Sequence, residues 1–207
     1  MTTAQRIAAA TCTPEQAQQV FRAVLAAFAR PGRIATLPTT DLPPTLLAVT
    51  ALADSGTALC VVGADATLWS DALSVGTDAP AVGLAAARLV AALRPLTADE
   101  VGVLARGTAE APEHGAFVAI PVESVENGVP LRLTGPGVDG EVIFAPSGLD
   151  AEVVAARAAA VLGYPAGIDL LCVAADGRIV GLPRTTVVSA ARIESDGRGN
   201  PARTQEN

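Results

Sequence analysis

Lysine is absent from this 207-residue chain, so all 14 positive side chains are arginine. That excludes a Schiff-base amine and the lysine of a nucleotide P-loop. There is one histidine, His114, and the three cysteines, Cys12, Cys60 and Cys172, stand far apart. No CxxC, no HExxH and no Cys/His ligand spacing can be read, so no metal site is expected and the thiols are expected to be free in a reducing cytoplasm. Aromatic residues make up only 3% of the chain, leaving few rings to stack on bases. Net charge is −7 and the sequence pI is about 4.7, so a broad basic surface for nucleic acid is not expected. Long apolar runs are missing too. The stretch around Val82 to Leu93 is interrupted by Arg88 and is too short to span a membrane. The N-terminal residues lack the apolar core of a signal peptide, and a cytoplasmic protein is expected.

What is present is a globular composition, with 50% hydrophobic and 17% charged residues. The length suits a single α/β domain over 1–193, followed by a polar tail, 194–207, expected to be disordered. The first clear helix is predicted over 13–30. Thr13, Pro14 and Gln16 form its capping signal, and Val20, Phe21, Val24, Leu25 and Phe28 recur as one apolar stripe. Arg30-Pro31-Gly32 stops it. A short strand over Arg33 to Leu37, a helix over Thr45 to Ala53 and a buried strand over Ala58 to Val62 follow. Ala85 to Leu93 suits either a helix or a buried strand. Asp99 to Ala105 reads as a helix behind a Thr97 cap, and Thr108 to Gly115 as a loop. Asn127-Gly128 between two apolar runs predicts a hairpin that sets Glu123 opposite Arg132. Asp150 caps a helix running to Leu162. A second hairpin around Asp176-Gly177 spans 168–188; a two-residue connection there sets Asp169 opposite Arg184. The expected architecture is a mixed sheet covered by helices.

Leu133-Thr134-Gly135-Pro136-Gly137 has the glycine content of a phosphate cradle. No helix opens after it, and Pro136 removes a backbone donor, so it is read as a turn before a strand at Glu141 to Ala145. Arg184 beside Thr185 and Thr186 could grip an anion by charge-assisted hydrogen bonds; the competing reading is a cross-strand ion pair with Asp169. His114 beside Glu113 has no neighbouring nucleophile and reads as a solvated loop residue. Cys172 alternates inside an apolar strand and reads as core. Trp69 is either a packing anchor or a partner contact. These residues compose no complete catalytic set, and catalytic and cofactor-binding residues are both expected to be none.

Four stretches give the chain a resemblance to the PhnH family, a subunit of the bacterial carbon–phosphorus lyase system. They are Val20 to Arg33 with its Arg30-Pro31-Gly32, Ala111 to Gly115, Leu131 to Gly137, and Tyr164 to Asp169 together with Leu182 to Thr186. In order and spacing they are similar to the family's pattern from about residue 15 to about residue 190. Ala27-Phe28-Ala29 stands where the family more usually has a Met-Ser pair, and His114 occupies a variable family position. The resemblance implies a fold like the large domain of pyridoxal-phosphate transferases without the cofactor, a homodimer, and work beside partner subunits G, I, J and L. It implies a part in transferring the ribose triphosphate of ATP to a phosphonate with release of adenine. It transfers no catalytic residue. Arg30, Arg33, Arg184, Thr185 and Thr186 are the expected contacts to a ligand (ATP or a phosphonate) or to a partner. The alternative is a stand-alone anion- or nucleotide-binding protein with its pocket near Arg184.

Overall fold

A computed structural model describes residues 2–191. The tail expected over 194–207 lies outside the described residues. The fold is mixed α/β. A six-stranded sheet is built from β1 (Ala35–Thr36), β2 (Leu59–Val62), β3 (Leu89–Ala92), β4 (Phe117–Val122), β7 (Asp169–Ala174) and β8 (Arg178–Leu182), in the order β1-β8-β7-β4-β3-β2. Strands β2, β3, β4 and β7 are parallel, while β8 and β1 are added antiparallel. The parallel strands read LCVV, LVAA, FVAIPV and DLLCVA, near-continuous apolar runs suited to burial on both faces. Strand was therefore the outcome for the ambiguous segment around Leu89–Ala92. A second sheet of three antiparallel strands has the order β6-β5-β9, from β5 (Leu131–Thr134), β6 (Val142–Phe144) and β9 (Val187–Ala190).

Alternation along each strand divides the core in two. Leu59, Val61, Leu89, Ala91, Leu171 and Val173 face one side. There they meet α2 (Pro14–Ala29), α3 (Pro44–Thr50) and α4 (Ala66–Thr77), with α1 (Thr3–Ala9) lying against α4. Cys60, Val62, Val90, Val118, Ile120 and Cys172 face the other side, under α5 (Ala98–Gly102), α6 (Ala151–Ala160) and the small sheet.

The helix starts follow their caps. Thr13 and Gln16 make the reciprocal capping box ahead of Pro14, and Thr97 makes the same box with Glu100. Arg94 grips the Glu100 carboxylate through both terminal nitrogens, at 2.6 and 2.9 Å. That guanidinium, aided by the Thr97 amide, holds the Glu100 carboxyl down to about 2 from its ordinary 4.5. A depressed carboxylate contributes stability that is complete above its unfolded value and lost as pH falls toward its folded one. Glu100→Gln keeps a capping residue but loses the ion pair. After solvent screening it is expected to cost about 1 kcal/mol at neutral pH. It is also expected to flatten the loss of stability between about pH 5 and pH 2, read from urea midpoints.

The structure corrects three expectations and adds one helix that the sequence did not suggest. Of the predicted apolar stripe on α2, Val20 and Val24 are buried, but Phe21 is 51% and Leu25 55% exposed; the buried face turns instead through Ala27. Helix α4 has no legible start. Its N-cap, Asp65, has a left-handed backbone and makes no side-chain cap bond, and Ser70, Gly76 and Thr77 are modest helix formers. The Asn127-Gly128 hairpin does not form. Strand β4 is central, with β3 on one edge and β7 on the other, so no edge is free for residues 129–134. Asn127 does take a positive φ of 66°, but Gly128 donates to the Ala145 carbonyl at 2.7 Å and Glu123 donates to that of Ser147. Arg132 accordingly pairs with Glu141, the residue before β6, not with Glu123. In the last hairpin, Leu170 lies opposite Leu182 and Val173 opposite Ile179, one residue off the expected register. The connection runs through Ala175, Asp176 and Gly177, with Gly177 at φ 83°. A three-residue loop ending in a left-handed glycine is the next most common hairpin after the two-residue turn.

Candidate functional site

Strand β8 ends at Leu182 because Pro183 has no N–H to continue the ladder. The chain then turns through Arg184 and Thr185, with the Thr186 amide donating to the Pro183 carbonyl at 2.8 Å, and enters β9 in the other sheet. Pro183 to Thr186 is thus the hinge between the two sheets, and the other family-like stretches gather round it.

Asp169 and Arg184 meet despite the shifted register. The Arg184 amide donates to Asp169 Oδ1 at 2.7 Å, and Arg184 Nη2 donates to Oδ2 at 2.6 Å. Arg184 Nε also points at this carboxylate, while Nη1 donates to the carbonyls of Pro112 (2.6 Å) and Pro165 (3.2 Å). Four of the five guanidinium N–H groups are therefore committed inside the protein. The close fit continues at Gly115, where a Cβ would stand 2.2 Å from the Gly167 carbonyl oxygen and 2.9 Å from Arg184 Nη2. The loop containing Pro112 to Gly115 can approach Arg184 only without a side chain there.

On the other side of the hinge lies Arg157 of α6, which is 2% exposed. Its Nη2 donates to the carbonyls of Pro183 (2.6 Å) and Leu182 (3.3 Å), and Nη1 to that of Thr186 (3.2 Å). Burial pulls the guanidinium below its ordinary pKa, with Cys172 and Asp169 acting in the opposite direction. Cys172 itself is fully buried in the core, which pushes its thiol up to about 12. Arg157 was not among the expected site residues. Its helix reads AEVVAARAAA, and the one available signal was an arginine at the spacing of the buried Val153 and Ala160.

Leu133 and Thr134 close β5, and Gly135 to Gly137 turn the chain toward β6, as expected. Gly137 has φ 81°, and a Cβ there would stand 2.5 Å from the Ala29 carbonyl oxygen at the end of α2. Gly135 lies as closely against the Thr185 carbonyl. The turn is thereby wedged between the Arg30-Pro31-Gly32 corner and the hinge.

Thr185 is half-buried and Thr186 buried. Arg30 and Arg33 behave differently from Arg184. Both are exposed, and they share an open cleft of about 410 Å³ with Ala26, Ala29, Ile34 and Ala35, not with Arg184. Among the described residues, neither side chain has a hydrogen-bond or ion-pair partner. His114 is 62% exposed with Nε2 3.8 Å from Glu113 Oε1. Trp69 is a packing anchor, 7% exposed, with the Arg6 guanidinium 5.6 Å from its ring. Among the described residues, no group of three or more His, Cys, Asp or Glu is placed to hold a metal ion, and no helix is long and apolar enough to cross a membrane.

Residues 9–189 match the family described as bacterial phosphonate metabolism protein (PhnH). A relative from Rhizobium meliloti (strain 1021) is named alpha-D-ribose 1-methylphosphonate 5-triphosphate synthase subunit PhnH. It is 32% identical over 182 residues, covering 83% of this chain and 89% of the relative. A second, from Stutzerimonas stutzeri, is named putative C-P lyase subunit protein HtxG. It is 35% identical over 175 residues, covering 83% of this chain and 85% of the relative. The stretches that carry the resemblance are the ones the fold draws together around Arg184 and Arg157, and the chain belongs to the PhnH family of bacterial phosphonate-metabolism proteins.

Proposed function

We propose that this chain is a non-catalytic, accessory subunit of a cytoplasmic carbon–phosphorus lyase core complex. On this reading it works as a homodimer beside subunits G, I and J. Together with partner subunits it serves the transfer of the ribose triphosphate of ATP to a phosphonate with release of adenine. The proposed fold relation is to the large domain of pyridoxal-phosphate transferases, with no lysine left to hold the cofactor. The observation that carries the reading is how the family's stretches are used. Arg184 and Arg157 direct their donors at Asp169 and at five main-chain carbonyls, so these motifs hold two sheets together and face no reacting group. The names of the two relatives, each a subunit, support the same conclusion.

The remaining candidates divide accordingly. Arg184, Thr185 and Thr186 act within the fold, and Arg30 and Arg33 face outward to ligand or partner. A stand-alone anion pocket at Arg184 would have one uncommitted N–H to offer a phosphate group that takes several donors. Deletion of the gene is expected to abolish growth on methylphosphonate as the sole phosphorus source while leaving growth on phosphate intact, with rescue by the plasmid-borne chain. Normal growth of the deletion strain on methylphosphonate would remove the proposal. Titration of ATP into the isolated protein is expected to be flat; heat that disappears in Arg184→Ala would favour the pocket.

A further inference from the structure

Of the 14 arginines, 11 lie among the described residues, and eight of those donate to a carboxylate or a carbonyl. The three that donate to nothing described are Arg22, Arg30 and Arg33, and all three belong to α2 or the corner that follows it. The outward face of the same helix carries the side chains that broke from the expected apolar stripe. Phe21 is 51% exposed and Leu25 55%, and Ile34 beyond the corner is 42% exposed. Phe21 and Leu25 are one helical turn apart, and Arg22, Ala26 and Ala29 continue that solvent-facing surface. Apolar side chains framed by cations without partners among the described residues, on a chain of net charge −7, form a local feature that the rest of the sequence does not explain.

We infer that this face of α2 docks an acidic protein surface, one with an apolar centre flanked by carboxylates, on a partner subunit other than a second copy of this chain. The inference rests on the accessory-subunit reading and names the surface that reading requires. The C-terminal end of a helix attracts cations, which accounts for Arg30 at the C-cap but not for Arg22 in mid-helix. A small anion needs converging, partly desolvated donors, whereas these arginines are exposed and spread over about three helical turns. A second copy is a poor occupant. In a twofold contact the same patch meets itself, so Arg22, Arg30 and Arg33 would face their own counterparts. Glu15 lies about two turns from Arg22 toward the N-terminus, and Asp139, on the turn wedged against Ala29, forms no ion pair among the described residues.

The test is co-expression of the tagged chain with subunits G, I and J from the same operon, followed by capture at about 50 mM and about 500 mM salt, a range over which screening changes strongly. Wild type is expected to capture the assembly at low salt and to lose it several-fold at high salt. The triple substitution Arg22→Glu, Arg30→Glu, Arg33→Glu should reduce capture at least about tenfold, and Phe21→Ser with Leu25→Ser comparably. Both variants change exposed side chains only and should retain the melting temperature and the self-association of the wild type by sedimentation. Wild-type capture in both variants overturns the docking face and leaves the subunit reading standing. Loss in the apolar variant alone overturns the acidic character of the partner. Altered self-association of the arginine variant shows a contact between copies and also overturns the inference. Wild type that captures nothing overturns the subunit reading and this inference with it.

Discussion

Replacing Asp169 by alanine is expected to lower the unfolding free energy by about 3 kcal/mol, a large effect for one surface-proximal carboxylate. The reason is what Asp169 leaves behind. Arg184 is only 14% exposed and is anchored at its other nitrogen by the Pro112 and Pro165 carbonyls, so it cannot swing out to water. Removing the carboxylate leaves a guanidinium charge and the Arg184 amide without their acceptor. Arg184→Met removes the charge and its bonds to Asp169, Pro112 and Pro165; Asp169 keeps the residue-184 amide and Pro112 the Gly115 amide, so the cost is expected to be smaller, about 2 kcal/mol. The double variant should be less destabilised than the sum of the singles, with a coupling of about 2 kcal/mol from urea unfolding. Coupling below about 0.5 kcal/mol would show that the pair does not act as a unit. It would return Arg184 to consideration as an anion-binding residue.

The Asp169–Arg184 contact was legible in the sequence, although the register that suggested it was one residue off. Two local facts compensate. Pro183 ends the ladder, and the freed Arg184 amide finds the Asp169 carboxylate instead of a strand partner. Capped helices were equally legible, because Thr13-Pro14 and Thr97 with Glu100 are local chemistry. The failures share a different cause. Asn127-Gly128 carries a strong hairpin signal, and Asn127 obeys it with a positive φ, yet β4 is a central strand whose edges are taken by β3 and β7. Nothing within a few residues of Asn127 announces partners that arrive from Leu89 and Asp169. The exposure of Phe21 and Leu25 is hidden in the same way. Helical spacing identifies apolar positions, but whether a position is covered depends on what the rest of the fold brings against it. At the site, the sequence left Arg184 with Thr185 and Thr186 open between a ligand or partner contact and an ion pair with Asp169. The structure forms the ion pair and adds to Arg184 acceptors that no local pattern announces, from residues as distant as Pro112.

Arg157→Ala is the substitution expected to cost most, at about 4 kcal/mol, since it combines a cavity with the loss of three carbonyl hydrogen bonds. The side chain is 2% exposed, and the carbonyls of Leu182, Pro183 and Thr186 all turn toward it. Leu182 closes β8 opposite Leu170, Pro183 also accepts the Thr186 amide, and Thr186 stands just before β9, so Arg157 ties the end of one sheet to the start of the other. Arg157→Met separates the two contributions. Methionine retains most of the volume, so its cost of about 2 kcal/mol reports the lost guanidinium hydrogen bonds, and the further loss in alanine reports the cavity. Relief from burying a charge offsets part of the methionine penalty, which is why it falls below a simple sum over three lost bonds. The location of the damage is as diagnostic as its size. Hydrogen exchange should quicken first at Thr186, whose amide bonds Pro183 across the hinge, and at the β9 amides paired with β5. The parallel centre of the large sheet should keep its protection in the methionine variant. Uniform acceleration across both sheets would mean that Arg157 supports the whole core. A methionine variant as stable as wild type would mean that the hinge does not depend on it. The expected result, a small sheet loosened from an intact large one, would identify a single buried arginine on α6 as the tie that holds the family's Leu182 to Thr186 stretch in place.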